Sequence, residues 1–188
     1  NRSLRKKTGK IQTLKTGNDA GTFNRKVKTY MNKGLPVEGI TQNRIIKLFR
    51  KTLKYNYLGN WEHRENSNIE EDLLKDYLKK SGYSETLINK AIYELTKTAG
   101  HQGKSIYDLN RRVYSLLRYG VKIKEDAGEN TQTVWLINWK DLLKNDFSVA
   151  EEVTIKGVHN KRPDIVIYVN GIALAVLELK RSTVSVLE

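Results

Sequence analysis

The sequence predicts an α+β fold, with helices packed on a mixed, mostly antiparallel central sheet. Three observations carry this expectation. Between Thr41 and Gly120, apolar residues recur at three- and four-residue spacing, the period of a helix with one buried face. From Val121 onward, short alternating or continuously apolar runs replace that period, separated by turn residues. Helical segments therefore come first and strands after them, the order of a fold that segregates helices from sheet.

The elements follow in turn. Residues 1–40 hold few aromatics and little apolar periodicity, and read as a basic, poorly structured arm ending at Pro36 and Gly39. The domain is expected over 41–188, with a helical part at 41–120 and a sheet part at 121–188. Thr41 stands at the N-cap of a first helix carrying Ile45, Ile46, Leu48, Phe49 and Leu53. Tyr55 to Trp61 is an aromatic loop or short strand. The cap-rich Asn66-Ser67-Asn68 opens a second helix with the stripe Ile69, Leu73, Leu74, Tyr77 and Leu78. Its acids Glu70, Glu71 and Asp72 fall in the first turn, where the helix dipole favours negative charge. Gly82 ends it, and Ser84 caps a third helix with Leu87, Ile88, Ala91, Ile92 and Leu95. A fourth carries Ile106, Leu109, Val113, Leu116 and Leu117 and stops at Gly120. Strands are expected at Val121–Lys124, Thr133–Ile137, Phe147–Ile155, Asp164–Val169 and Ile172–Lys180, with a short helical excursion between Asn138 and Asn145.

Composition narrows the function classes. No apolar run approaches the length of a membrane span, and no secretory segment follows the basic N-terminus. Cysteine is absent, which excludes thiolate chemistry and disulfides and fits a reducing, cytoplasmic compartment. His63, His101 and His159 have no metal-ligand spacing and read as surface or loop residues. The net charge of +13 is one-sided: residues 1–54 hold 15 Lys and Arg against Asp19 and Glu38, while residues 55–188 hold 19 of each sign. Such an arm is drawn to phosphate backbones by counterion release, without sequence preference.

The chemistry-bearing residues lie at the end of the chain. Asn170-Gly171 between two apolar runs is a hairpin signal, with Asp164 before the first run and Glu178 and Lys180 after the second. Both runs are apolar on both faces, the pattern of strands covered on both sides. Two carboxylates can hold a divalent cation beside a phosphodiester, and a neighbouring lysine can orient water or balance developing charge. The same residue types also suit a structural ion pair, with Lys180 neutralising Glu178. Register separates the two. A tight two-residue turn pairs Val169 with Ile172 and Asp164 with Leu177, which turns Asp164 away from Glu178. A site requires one offset residue, and Gly171 in a bulge at the turn is the candidate.

The motif Pro-Asp, a spacer, then Glu-x-Lys resembles that of the PD-(D/E)xK nuclease superfamily. The wording around it is more specific. Arg162-Pro163-Asp164-Ile165-Val166, Val169-Asn170-Gly171 and Leu177-Glu178-Leu179-Lys180 resemble the N-terminal nuclease region of the restriction (R) subunit of type I restriction-modification enzymes. So do Asn110-Arg111-Arg112-Val113-Tyr114, Leu117-Arg118-Tyr119-Gly120-Val121, Asn145-Asp146-Phe147, Gln42-Asn43-Arg44 and Tyr57-Leu58-Gly59-Asn60-Trp61. The resemblance covers about 41–188.

The resemblance implies a nuclease-like core that cuts duplex DNA with Mg²⁺, with Asp164 and Glu178 as metal ligands and Lys180 assisting. It implies a further site glutamate on an early helix, matched by Glu71 with Glu70 as the alternative. Simple compensation of the helix dipole would equally place Glu71 there. It implies specificity and methyltransferase subunits as partners, no membrane association, and ATP use only through a motor region, for which no GxxxxGK[ST] run exists in these residues. In the superfamily a helix and usually a further strand follow the Lys, so with Glu188 as the last residue the core is expected to be incomplete at its C-terminus, with apolar strand surface uncovered. The competing expectation is a catalytically silent fragment that acts as a DNA-binding or subunit-interaction module.

Overall fold

The computed structural model of the chain describes residues 37–100, 103, 105–155 and 160–179. The expected arm up to residue 36, His101, His159 and Lys180 lie outside these residues. The first helix, α1 (Val37–Lys51), begins before Thr41, which sits inside it instead of capping it. Asn43 Nδ2 donates to the Gly39 carbonyl at 2.7 Å within its first turns. Ile46 and Phe49 are its buried stripe, whereas Leu48 and Leu53 are half exposed.

The aromatic stretch that follows forms a strand, β1 (Asn56–Asn60). Three helices come next: α2 (Glu71–Lys80), α3 (Glu85–Ala99) and α4 (Ile106–Tyr119). The expected caps of α3 and the serine before α4 both act as such. Ser84 Oγ accepts from the Leu87 amide at 3.3 Å, and Ser105 Oγ from the Asp108 amide at 3.1 Å. Gly120 follows α4 with φ of 74°, and a Cβ there would meet the Val134 carbonyl at 3.0 Å. A short antiparallel pair, β2 (Val121–Ile123) and β3 (Gln132–Val134), stands apart from the main sheet. Its inner residues Val121, Ile123 and Val134 complete the core of α2, α3 and α4, in which Leu74, Leu78, Ile88 and Leu95 are fully buried. A single 3₁₀ turn, Leu142–Lys144, is the helical excursion expected between Asn138 and Asn145.

The main sheet has the order β1-β4-β5-β6, where β4 is Phe147–Glu151, β5 Ile165–Val169 and β6 Ile172–Leu177. β4, β5 and β6 are antiparallel neighbours, and β1 runs parallel to β4. The fold is thus α+β with a mixed, mostly antiparallel sheet. β1 crosses the expected division into a helical part and a sheet part. A parallel pair needs a long crossover, and everything between β1 and β4 supplies it. One sheet face packs Val149 and Ile165 against Ile46 and Phe49 of α1. The other packs Ala150, Val166 and Tyr168 against Trp61 and Val153.

Two expectations about the hairpin strands change. β4 to β5 are central and buried, but β6 is an edge strand whose Leu174 and Val176 are 44% and 53% exposed. Apolar residues on both faces therefore do not mean coverage on both faces here. Ile69 also leaves the α2 stripe, because its backbone bridges Ile172 and the Asn68 carbonyl accepts from the Ala173 amide at 2.9 Å. The hairpin claims these backbone groups, so α2 starts two residues later, at Glu71, with no side-chain cap at Glu70.

Candidate active site

The hairpin of β5 and β6 decides how Asp164 and Glu178 meet. Its turn is the tight two-residue kind: Val169 pairs with Ile172, and Asn170 and Gly171 have φ of 52° and 82°. Left alone, this turn would set Asp164 against Leu177. The ladder, however, steps from Tyr168↔Ala173 to Ile167↔Ala175, so Leu174 is an extra residue bulged out of β6. Beyond it Val166 pairs with Val176 and Ile165 with Leu177, which brings Asp164 and Glu178 opposite each other at the end of the ladder.

The required offset is present, but not at Gly171. That glycine is occupied by the turn and by α2, since a Cβ on it would lie 2.6 Å from the Glu70 carbonyl oxygen and 2.8 Å from Leu73 Cβ. The Glu70 amide also donates to its carbonyl at 2.8 Å. With the turn locked beneath a helix, the irregularity moves to the exposed edge strand, where an unpaired residue costs least.

Asp164 is half-buried and Glu178 exposed. Asp164 Oδ2 accepts from the Leu179 amide at 2.5 Å, which binds the carboxylate to the segment carrying Glu178. The Asp164 carbonyl accepts from the Glu152 amide at 3.0 Å, tying it to the end of β4. Asp164 is therefore held by both neighbouring strands. Lys180, the third expected member, follows Leu179 and lies outside the described residues.

The same sheet end gathers side chains that sequence reasoning did not assign to a site. Glu151 accepts a short hydrogen bond from Tyr57 Oη, and Gln42 Nε2 donates to it at 3.2 Å. Gln42 Nε2 also donates to Glu152 at 3.0 Å, and Arg162 Nε pairs with Glu152 at 3.1 Å. Arg162 bonds Glu62 as well. Burial, and then the hydrogen bond to Glu151, push the Tyr57 hydroxyl up to about 12. The sequence signal for this cluster is the pair Glu151-Glu152, charge appearing directly after the apolar run of β4.

The early-helix glutamates sit elsewhere. Glu71 is exposed as the first residue of α2. Glu70 pairs with Arg64 at 2.7 Å, and Arg64 stacks 4.0 Å above the Trp61 ring. Both glutamates adjoin Gly171 at the turn end of the hairpin. Asp164 closes the other end, five strand residues away, or roughly 16 Å at the usual rise per residue. The register sets Asp164 opposite Glu178, while Glu70 and Glu71 stand at the turn end of the hairpin.

Among the described residues, no group of three or more His, Asp and Glu side chains is placed to hold a metal. Two carboxylates at a strand end nevertheless suit a hard cation such as Mg²⁺, which takes oxygen ligands and retains waters for the remaining positions. They do not suit zinc, which favours nitrogen and sulfur donors. No described helix is long and apolar enough to cross a membrane.

The chain has relatives among known proteins. Two relatives come from Methanocaldococcus jannaschii, each named as a type I restriction enzyme endonuclease subunit. MjaVIIIP is 29% identical over 160 residues, 80% of this chain and 15% of that relative. MjaIXP is 27% identical over 128 residues, 63% of this chain and 12% of that relative. The chain thus spans about an eighth of the length of the curated relatives it matches. No solved structure matches it. The family model for the type I restriction enzyme R protein N terminus matches residues 37–188, so the chain belongs to that family.

Proposed function

We propose that this chain is the metal-dependent endonuclease domain of a type I restriction enzyme R subunit, hydrolysing phosphodiester bonds of duplex DNA. The observation that carries this reading is the Leu174 bulge. It places two carboxylates of a Pro-Asp and Glu-x-Lys sequence opposite each other, when the turn alone would have parted them. The same offset turns Leu177 and Leu179 onto the cluster of Ile46, Phe49 and Ile165, so it serves packing and, in this reading, a shared cation.

In this reading Asp164 and Glu178 hold Mg²⁺. The ion, when bound, polarises the phosphate and lowers the pKa of an attacking water. Asp164 contributes a carboxylate oriented in advance by the Leu179 amide. Lys180 assists by holding the water or balancing charge on the phosphate. Arg162, anchored by Glu62 and Glu152, keeps the approach to Asp164 from becoming uniformly anionic. The partners are duplex DNA and the specificity and methyltransferase subunits of the complex, and ATP acts only through a motor region outside these residues. Sequence choice belongs to another subunit, so contacts here go to backbone instead of bases.

A second reading, a catalytically silent DNA-binding or subunit-interaction module, is favoured by the half-exposed Leu174 and Val176 on the β6 edge. Supercoiled plasmid incubated with Mg²⁺ or Mn²⁺ separates the two. Nicking is expected from the wild type, with a loss of at least about 100-fold in Asp164→Ala and Lys180→Ala, the scale of a removed electrostatic contributor. Nicking that survives both substitutions would sink the assignment, and DNA binding without cleavage would favour the silent module.

A further inference from the structure

At the turn end of the sheet, away from Asp164, lies a concavity of about 980 Å³ between α2, the end of α4 and the segment 135–146. Its walls combine two kinds of side chain. Tyr119, Trp135 and Trp139 are 64%, 42% and 41% exposed, three aromatic rings on one concave surface. Lys80, Arg118, Lys140 and Lys144 line it with them, against the single acid Asp146. Asp146 takes Lys80 at 2.9 Å and Asp141 takes Lys144 at 3.9 Å. Among the described residues no ion pair neutralises Arg118 or Lys140. The Arg118 guanidinium instead stands 5.3 Å from the Trp139 ring centre.

The walls are built, not incidental. Trp139 Nε1 donates to the Leu117 carbonyl at 2.8 Å, which fixes the ring by its edge and leaves a face open. The Trp135 amide donates to Tyr83 Oη at 3.0 Å. The segment is anchored below by three asparagines. The Asn138 amide donates to Asn145 Oδ1 at 2.8 Å, and Asn170 Nδ2 donates to Asn145 Oδ1 and to the Leu136 carbonyl, each at 2.9 Å. Asn145 and Asn170 are buried. A satisfied buried polar network of this kind holds one loop shape.

Open aromatic faces beside unpaired cations complement a flexible polyanion that carries planar groups. We propose that this concavity binds an unpaired stretch of nucleic acid, its bases stacked on Trp135, Trp139 and Tyr119 and its phosphates beside Arg118 and Lys140. The site uses neither Asp164 nor Glu178 and stands or falls apart from the cleavage reading. A duplex keeps its bases stacked on each other and offers these rings no face, so single strands are the preferred form.

The test is tryptophan fluorescence of the whole chain in EDTA, titrated with a twelve-residue oligo(dT), an oligo(rU) of equal length and a self-complementary DNA duplex. Trp61 is buried, so quenching reports on Trp135 and Trp139. Quenching by either single strand at lower concentration than the duplex is expected, and the stronger of the two identifies the sugar. Trp139→Ala should weaken binding at least fivefold, within the stacking range, while Trp139→Phe retains it. Both variants preserve net charge, so the basic N-terminal residues contribute equally to each. Lys140→Glu should weaken binding and flatten its salt dependence. Equal quenching by a poly-glutamate peptide, preference for duplex, or unchanged binding in a folded Trp139→Ala protein would overturn the proposal.

Discussion

Tyr57 and Tyr168 show how single side chains register their position in this fold. Tyr168 is fully buried beside Trp61, with ring centres 5.5 Å apart. Burial first, and then the nearby Glu70 carboxylate, push its hydroxyl up to about 12, as burial and Glu151 do for Tyr57. Ionising either hydroxyl puts charge beside an existing carboxylate, and for Tyr168 into a buried site. The unfolded chain releases these protons near 10 and the folded chain near 12. Their contribution to stability is therefore complete below about pH 10 and is lost as pH rises from about 10 to 12. The urea midpoint is expected to be level between pH 7 and 9 and then to fall, with a shallower fall in Tyr57→Phe. Equal alkaline slopes for the two proteins would show that Tyr57 is not coupled to folding. The helix residues behave more simply: Ser84 is readable as a cap from sequence because a cap bonds only its own next turn.

At the scale of elements, the hairpin does two jobs with two separate irregularities. Gly171 makes the turn and admits α2, and Leu174 sets the register. Gly171→Ala is expected to destabilise by about 3 kcal/mol, since φ is positive and the new methyl meets backbone atoms of α2. A urea melt reads this directly. Deleting Leu174 makes the other case. It should preserve the turn and give an unbroken ladder that still pairs Ile165 with Leu177 and so keeps Asp164 opposite Glu178, and both cleavage and helical circular dichroism should remain. Loss of cleavage in a folded deletion variant would show that the bulge does more than set the register. The hairpin itself was legible as Asn-Gly between apolar runs. The bulge was not, because Ile172 to Leu177 is apolar throughout and any alignment of it satisfies a pattern rule equally. Whether β6 is central or an edge was hidden for the same reason.

At the scale of the whole molecule, the two proposed sites separate to the two ends of one sheet. Asp164 and Glu178, with Gln42, Tyr57 and Arg162 nearby, occupy one end of β4, β5 and β6. The aromatic, cationic concavity adjoins the other, where Asp146 and Asn170 join β4 to the hairpin turn. The net charge follows another axis, along the chain: all of the +13 lies within residues 1–54. Residues 1–36 hold ten Lys and Arg. Removing them is expected to lower duplex affinity and to flatten the plot of log K against log salt, whose slope is about −0.9 per phosphate neutralised. Filter binding across a range of salt concentrations measures both, and an unchanged slope would remove the arm from the DNA contact.

By itself the sequence determined the local matters: four helical stripes, the Ser84 cap, the Asn170-Gly171 turn, the charge asymmetry and the residues of the candidate site. Each follows from spacing within a few residues, where backbone geometry admits few choices. Only the tertiary structure decided that β1 pairs with β4 across a long crossover, that Leu174 is the residue expelled from the ladder, and that Glu70 and Glu71 stand at the far end of the hairpin from Asp164. These outcomes depend on which surfaces compete for the same backbone groups. The Gly171 carbonyl is taken by Glu70 and the Leu179 amide by Asp164, and no local pattern encodes such a competition.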